Sequence, residues 1–282
     1  GFESADVADH MSEAEEIIAT SELVRSLVVQ RSRSYARESQ IQETGSATMF
    51  PKRLPPKVAD YSIRNTYGNL LEMFVSAFSK TNPLFNLPIY FPLAWYKGPD
   101  IDIDPLDEGR QMQVVGLIRT NFLKRFESSV AAFEMSCDRL LKKLLVFVDV
   151  NSETDGERNR LERWKLQNAD ILGIKRQFEL WDEESDDTEE DFIPQEMLDK
   201  IEKLKREDYD VPGMLAETFL DLDQIGRFLK ELQQFEPKND DKLKKLIRLL
   251  KTNELSNQKI LIFTEFADTA QYLKKQLIQN EI

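Results

Sequence analysis

Six basic side chains cluster early in the chain: Arg31, Arg33, Arg37, Lys52, Arg53 and Lys57. A guanidinium presents its N–H groups as a fork that grips two phosphate oxygens at once. Such a cluster adds a sequence-blind, salt-dependent term to nucleic-acid affinity. Near the other end, Thr264, Glu265 and Phe266 form a turn directly after the apolar run KILIF, residues 259–263. A hydroxyl and backbone N–H groups at the C-terminal end of a buried strand suit phosphate oxygens, and ligands of open α/β sheets bind at that end. Thr269 follows in the helix after the turn, where it caps or packs. Midway, Lys124, Arg125, Glu127, Ser128 and Ser129 set both signs of charge beside two hydroxyls. That mixture fits an intramolecular lock better than a catalytic group.

Other chemistry is thinly supplied. The only histidine is His10 and the only cysteine is Cys137. One of each cannot build a structural zinc site, and a Ser-His-Asp or Cys-His mechanism would need a histidine from a polar tail. Paired carboxylates carry no signal, because 51 Asp and Glu residues make chance pairs abundant. One cysteine also rules out an intrachain disulfide, which fits a reducing cytoplasm. No apolar run is long enough to span a membrane, and the acidic N-terminus lacks the pattern of a signal peptide.

The net charge of -13 is unevenly spread. Residues 24–64 carry 8 Lys/Arg against 3 Asp/Glu, and residues 242–282 carry 8 against 4. Between them, residues 149–241 carry 13 against 28. A polyanion would meet the flanks and be repelled by the middle, although ordinary solvated helix faces would give the same counts.

The elements that position these groups read mostly as helices. Residues 11–29 have helical apolar spacing and a capping box at Ser12 and Glu15, and the basic stretch after them reads as a short helix. Prolines at 51, 55 and 56 force an extended path, after which Val58 to Ile63 can form a strand. A helix capped by Asn65 or Thr66 follows, with Leu70, Leu71, Phe74, Val75 and Phe78 on one face. Residues 81–108 are proline-rich irregular chain that packs. Residues 109–148 read as one long helix or a broken pair. Further helices are expected at 155–181, 194–207, 212–235 and 240–253, the last capped by Asp240 or Asp241. The acidic run 182–191 reads as an exposed loop. KILIF then reads as a buried strand, and the helix after it turns Ala270, Leu273, Leu277 and Ile278 toward a sheet.

The expected fold class is therefore mainly α-helical, with a small incomplete α/β portion. A strand at 259–263 needs neighbours for its backbone N–H and C=O groups, and two strands with one crossover do not make a stable sheet. The simplest expectation is a piece of a longer protein whose boundary falls inside an α/β domain. The leading Gly1 fits that expectation.

Three segments, in order, resemble the helicase-like ATPases of the Swi/Snf type in superfamily two. "LVVQRSRSYARES...FPKRLPPKVADYSIRNTYGNLLEMF" resembles the block that crosses from the first motor lobe into the second. "IRTNFLKRFESSVAAFE" resembles a Lys-Arg-x-Glu-Ser-Ser segment of the family's bacterial branch of DNA translocases. "DDKLKKLIRLLKTNELSNQKILIFTEFADTAQYLKKQL" resembles the lead-in helix and motif IV of the second lobe. The resemblance covers about residues 24–78, 115–135 and 240–280.

That resemblance implies four regions: N-terminal helices and lobe crossing at 1–50, the start of the second lobe at 51–79, a helical insertion at 80–239, and motif IV at 240–282. It also implies that Thr264 contacts a DNA strand, with Glu265, Phe266 and Thr269 shaping the turn. The basic cluster at the crossing would meet the DNA backbone or salt-bridge the other lobe. ATP and Mg²⁺ would belong to the parent protein. The segment itself has no G-x-x-x-x-G-K-[ST] loop and no Asp-Glu-x-His box, so no cofactor site and no hydrolysis are expected in it alone. The nearest match to an arginine-finger motif, QIGRFLK at 224–230, reads as a helix with a tolerated Gly226.

Two functions follow. One is part of an ATP-driven translocase of double-stranded DNA, with the missing motor lobes as partners in cis. The other is an acidic helical module that docks a protein such as RNA polymerase or a defence-complex subunit. Salt-sensitive DNA binding through Arg31, Arg33, Lys52 and Arg53 separates them.

Overall fold

The computed structural model describes residues 33–46, 54–78, 85–98, 105–172, 201–256 and 258–282, which are mainly helical. The chain divides into two compact units, Gly1–Val58 and Ala59–Ile282. In the first, helix α1 (Arg33–Thr44) ends at Gly45, whose φ of +72° is the left-handed conformation that terminates a helix. The Gly45 N–H returns to the Ile41 carbonyl at 3.0 Å.

The second unit begins with α2 (Ile63–Tyr67), capped by the Ser62 hydroxyl, and α3 (Asn69–Ala77). Gly68, with φ of +51°, separates the two. Two 3-10 turns, Pro88–Tyr90 and Pro92–Trp95, follow. The long apolar pattern then divides into α4 (Pro105–Ser128) and α5 (Val130–Asn151). The break falls at Ser129, whose backbone is extended and whose hydroxyl accepts the Ala132 N–H at 3.1 Å. Ser129 therefore ends one helix and caps the next.

Thr154 and Glu157 form a reciprocal capping box at the start of α6 (Asp155–Gln167), which is followed by α7 (Ala169–Leu172). Asp210 caps α8 (Val211–Gln233) and Asp240 caps α9 (Asp241–Leu250). The last helix is α10 (Ala267–Gln279).

The core lies where α3, α4, α5 and α8 meet. Phe74, Phe126, Phe133 and Phe228 are buried there, with the Phe74 and Phe126 rings stacked at 4.1 Å and Phe133 edge-on to Phe126 at 5.0 Å. Gly226 lies inside α8 as a tolerated glycine, facing Ile171, Asn168 and Trp164. Among the described residues, no helix is long and apolar enough to cross a membrane.

The α/β portion is corrected. Among the described residues there is no strand and no sheet, only an isolated bridge between Tyr96 and Tyr209. Residues 259–263 are irregular, with Leu261 83% and Phe263 87% exposed. Residues 54–62 are irregular too, and Ile63 opens a helix. A strand is stable only when a neighbour takes its N–H and C=O groups, and the described residues supply none.

Other expectations shift. Ser62, not Asn65 or Thr66, is the cap, and Val75 is exposed. Residues 201–210 are not helical, because tertiary partners hold them in an irregular path. The Leu204 N–H donates to Asn151 Oδ1 at 2.9 Å, and Arg206 pairs with Glu153 and Glu157. The buried face of α10 is Asp268, Thr269, Tyr272 and Gln276, while Ala270 and Ile278 are exposed. That helix packs on α5 and α9 instead of on a sheet, with Tyr272 and the partly buried Leu273 against Ala131 and Leu243. The expected helix at 11–29, the acidic run 182–191 and residues 173–181 and 194–200 lie outside the described residues.

Candidate nucleic-acid interface

The segment 124–129 and the turn 264–269, far apart in sequence, meet. Lys124 Nζ donates to Glu265 Oε1 at 2.9 Å, with both side chains about half exposed. One helical position further, Arg125 is only 4% exposed. Its guanidinium donates to Asp268 Oδ2 at 2.9 Å and lies over the Phe266 ring, 4.7 Å from its centroid. Arg139, from α5, approaches the same carboxylate oxygen at 3.6 Å. The hydroxyls of Ser128 and Ser129 share hydrogen bonds with Thr269 Oγ1 at 2.7 and 2.8 Å. The Arg125–Asp268 bond is charge-assisted and therefore stronger than the neutral hydroxyl bonds, and its burial limits screening by solvent.

The break between α4 and α5 makes this possible. Ending α4 at Ser128 leaves carbonyls without intrahelical partners. Lys242 Nζ fills that need, donating to the Glu127 and Ser128 carbonyls at 2.9 Å each, a cation at a helix C-terminus. Burial pushes the Lys242 ammonium below its usual range, while Asp240 and Glu127 pull it back.

A second polar layer supports α9. The Ser62 N–H donates to Asp241 Oδ2 at 2.7 Å, and the Asp241 N–H donates to Thr66 Oγ1 at 3.1 Å. Tyr272 donates its hydroxyl proton to Asp240 Oδ2 at 2.9 Å. Burial and the adjacent Asp240 carboxylate push the Tyr272 hydroxyl well above its ordinary range.

Thr264 stands at the rim of this arrangement. It is exposed, and its hydroxyl accepts the Phe266 N–H at 3.4 Å. Beside it opens a cavity of about 260 Å³, walled by Tyr61, Leu246, Ile262, Phe263 and Leu273 with Lys242 at its edge. Of the turn residues, Phe266 and Thr269 are buried, Glu265 is held at the surface by Lys124, and Thr264 is exposed.

The basic cluster is distributed differently. Arg33 opens α1 and Arg37 is exposed on it, while Lys57 is exposed in irregular chain. All three belong to the unit Gly1–Val58. Arg31, Lys52 and Arg53 lie outside the described residues. Sequence reasoning missed Asp268, Arg139 and the tertiary roles of Asp240, Asp241, Lys242 and Tyr272. Single acidic residues in so acidic a chain gave no signal to find them. Among the described residues, no group of three His, Cys, Asp or Glu is placed to hold a metal ion.

No protein-family model, curated protein or solved structure matches this chain.

Proposed function

We propose that this chain is part of a cytoplasmic, ATP-driven, helicase-like translocase of double-stranded DNA, resembling the bacterial branch of the Swi/Snf type. It contributes DNA-backbone contacts, through Thr264 and the basic cluster, and a helical insertion. ATP and Mg²⁺ chemistry belongs to other motor parts of the parent protein. The residues 259–263 would become a strand of the second lobe beside those parts. One observation carries the reading. Two of the three segments that resemble the family, 124–129 and 264–269, are joined through Arg125–Asp268 and the Ser128, Ser129 and Thr269 hydroxyls. A turn whose other side chains are anchored in this way presents Thr264 in a fixed position, which suits contact with a regularly spaced phosphate backbone.

The test is duplex DNA binding by this chain across a salt series. Affinity that falls steeply with salt, and falls further for Thr264→Val and for the double change Lys52→Ala and Arg53→Ala, supports the reading. Absence of binding at low salt argues instead for the protein-docking module.

A further inference from the structure

A buried carboxylate lies well away from the joint. Asp221 sits in the middle of α8 and is 2% exposed. Its Oδ2 accepts the Leu87 N–H at 2.8 Å, and the N–H groups of Phe85 and Asn86 act on the carboxyl in the same sense, pulling its pKa down. Phe85 and Leu87 have φ of +70° and +48°, the left-handed region that non-glycine residues rarely occupy. Turned this way, the segment brings the Leu87 N–H onto the buried Asp221 carboxyl. Phe85 and Leu87 then bury their own side chains almost completely.

What surrounds the carboxylate is short of positive charge. Among the described residues, no lysine or arginine pairs with Asp221. Arg119, on α4, donates instead to the Phe85 carbonyl, at 2.7 and 3.2 Å. Glu217, one turn earlier on α8, holds Asn86 Nδ2 at 2.7 Å and adds a like charge. From α3, α5 and α7, apolar side chains such as Phe74, Phe133 and Ile171 face α8. The turns Pro88–Tyr90 and Pro92–Trp95 carry no charged side chain.

We propose that Asp221 and the segment Phe85–Leu87 form a proton-linked latch, tight while the carboxyl keeps its proton and looser once it is lost. The physical reason is burial without a cation, which disfavours the charged form. Burial raises the Asp221 carboxyl to about 7, against the pull of the three N–H groups and with Glu217 adding to the rise. When the segment lifts, water hydrates the carboxylate and its pKa returns toward the ordinary 3.8. The closed form therefore binds the proton more tightly than the open form. Closure is strongest below the ordinary value, weakens as pH rises through the window up to about 7, and levels off above it. The left-handed conformations of Phe85 and Leu87 relax in the open form, which works in the same direction.

The test is amide exchange at Phe85, Asn86 and Leu87 in the whole chain, followed by NMR from about pH 5 to about pH 8 and corrected for intrinsic exchange. The opening constant should rise about tenfold per pH unit up to about pH 7 and then flatten. Asp221→Asn should abolish the slope, while amides in the middle of α5 should not share it in either protein. A flat wild-type profile, a slope that survives Asp221→Asn, or a slope common to α5 would each overturn the latch. Should Asp221→Asn fail to fold, the carbon-13 titration of the Asp221 carboxyl in the unaltered protein decides. A midpoint near about 7 supports the latch, and one near about 4 overturns it.

Discussion

Residues 259–263 and 264–269 are neighbours in the chain with opposite circumstances. The second stretch is anchored at nearly every side chain: Glu265 by Lys124, Phe266 under Arg125, Asp268 by Arg125 and Arg139, and Thr269 by two serines. The first has Leu261 and Phe263 turned to solvent and, among the described residues, no backbone hydrogen bond. The difference lies in what each needs. A polar side chain is satisfied by one or two well-placed groups, which the break between α4 and α5 provides. An apolar strand needs a whole neighbouring backbone in register, which no side chain can replace.

The largest effect should come from breaking the anchored stretch at its centre. Asp268→Ala leaves Arg125 buried with Arg139 nearby and no carboxylate between them. Removing one partner of a buried pair typically costs about 3–5 kcal/mol, and Arg125 loses its bond to this carboxylate. Urea denaturation should show that loss, and Asp268→Asn should lose less, since the amide oxygen still accepts from Arg125. A midpoint unchanged by Asp268→Ala would mean that the joint adds nothing to stability.

Thr269→Val is next. It keeps the shape and removes the hydroxyl shared by Ser128 and Ser129, at a cost of about 1–2 kcal/mol for groups left without a partner. Replacing Ser128 with Ala in the same protein should recover part of that cost. Full additivity of the two changes would show that they are not coupled.

Much of this contrast could be read in advance, and some could not. The helices are written in apolar spacing, and the start of α9 in Asp240. The mixed-charge segment 124–129 reads as a lock because it sets both signs of charge beside two hydroxyls. Its partner was not visible, since complementarity between segments about 140 residues apart leaves no local trace. KILIF reads as a strand from composition alone, and its composition is still that of a strand. Whether it becomes one depends on neighbours, which no property of those five residues reports. The face of α10 has the same origin: without a sheet the helix buries Asp268, Thr269, Tyr272 and Gln276, with Leu273 partly buried beside them and Ala270 and Ile278 exposed.

A polar joint elsewhere sharpens the comparison through pH. Glu157 accepts from Arg206 and from the backbone of Glu153 and Thr154. Burial works to raise its carboxyl, but these bonds prevail and hold it at about 2, below the ordinary 4.5. A depressed carboxyl stabilises the fold above its ordinary value, and that contribution is lost as pH falls from about 4.5 through about 2. The site is near the surface, so solvent screening limits the contribution to about 1 kcal/mol. The melting temperature of Glu157→Gln, subtracted from that of the unaltered protein at each pH, should show a difference at neutral pH that closes in acid. The subtraction cancels the opposite trend from Asp221. A difference that persists at about pH 2 would assign the effect to packing.

The smallest change in folding stability should come from the bare stretch itself. Leu261→Lys and Phe263→Lys together replace two side chains that touch little, so the urea midpoint should move by no more than about 0.5 kcal/mol. What should change is association. An exposed apolar segment whose N–H and C=O groups find no backbone partner among the described residues is a template for pairing with another chain, and lysines blunt it. Light scattering of a concentrated solution should therefore fall in the double variant while the midpoint holds. A large loss of stability would show that Leu261 and Phe263 are buried in solution, and that this stretch does find partners for its backbone within the folded chain.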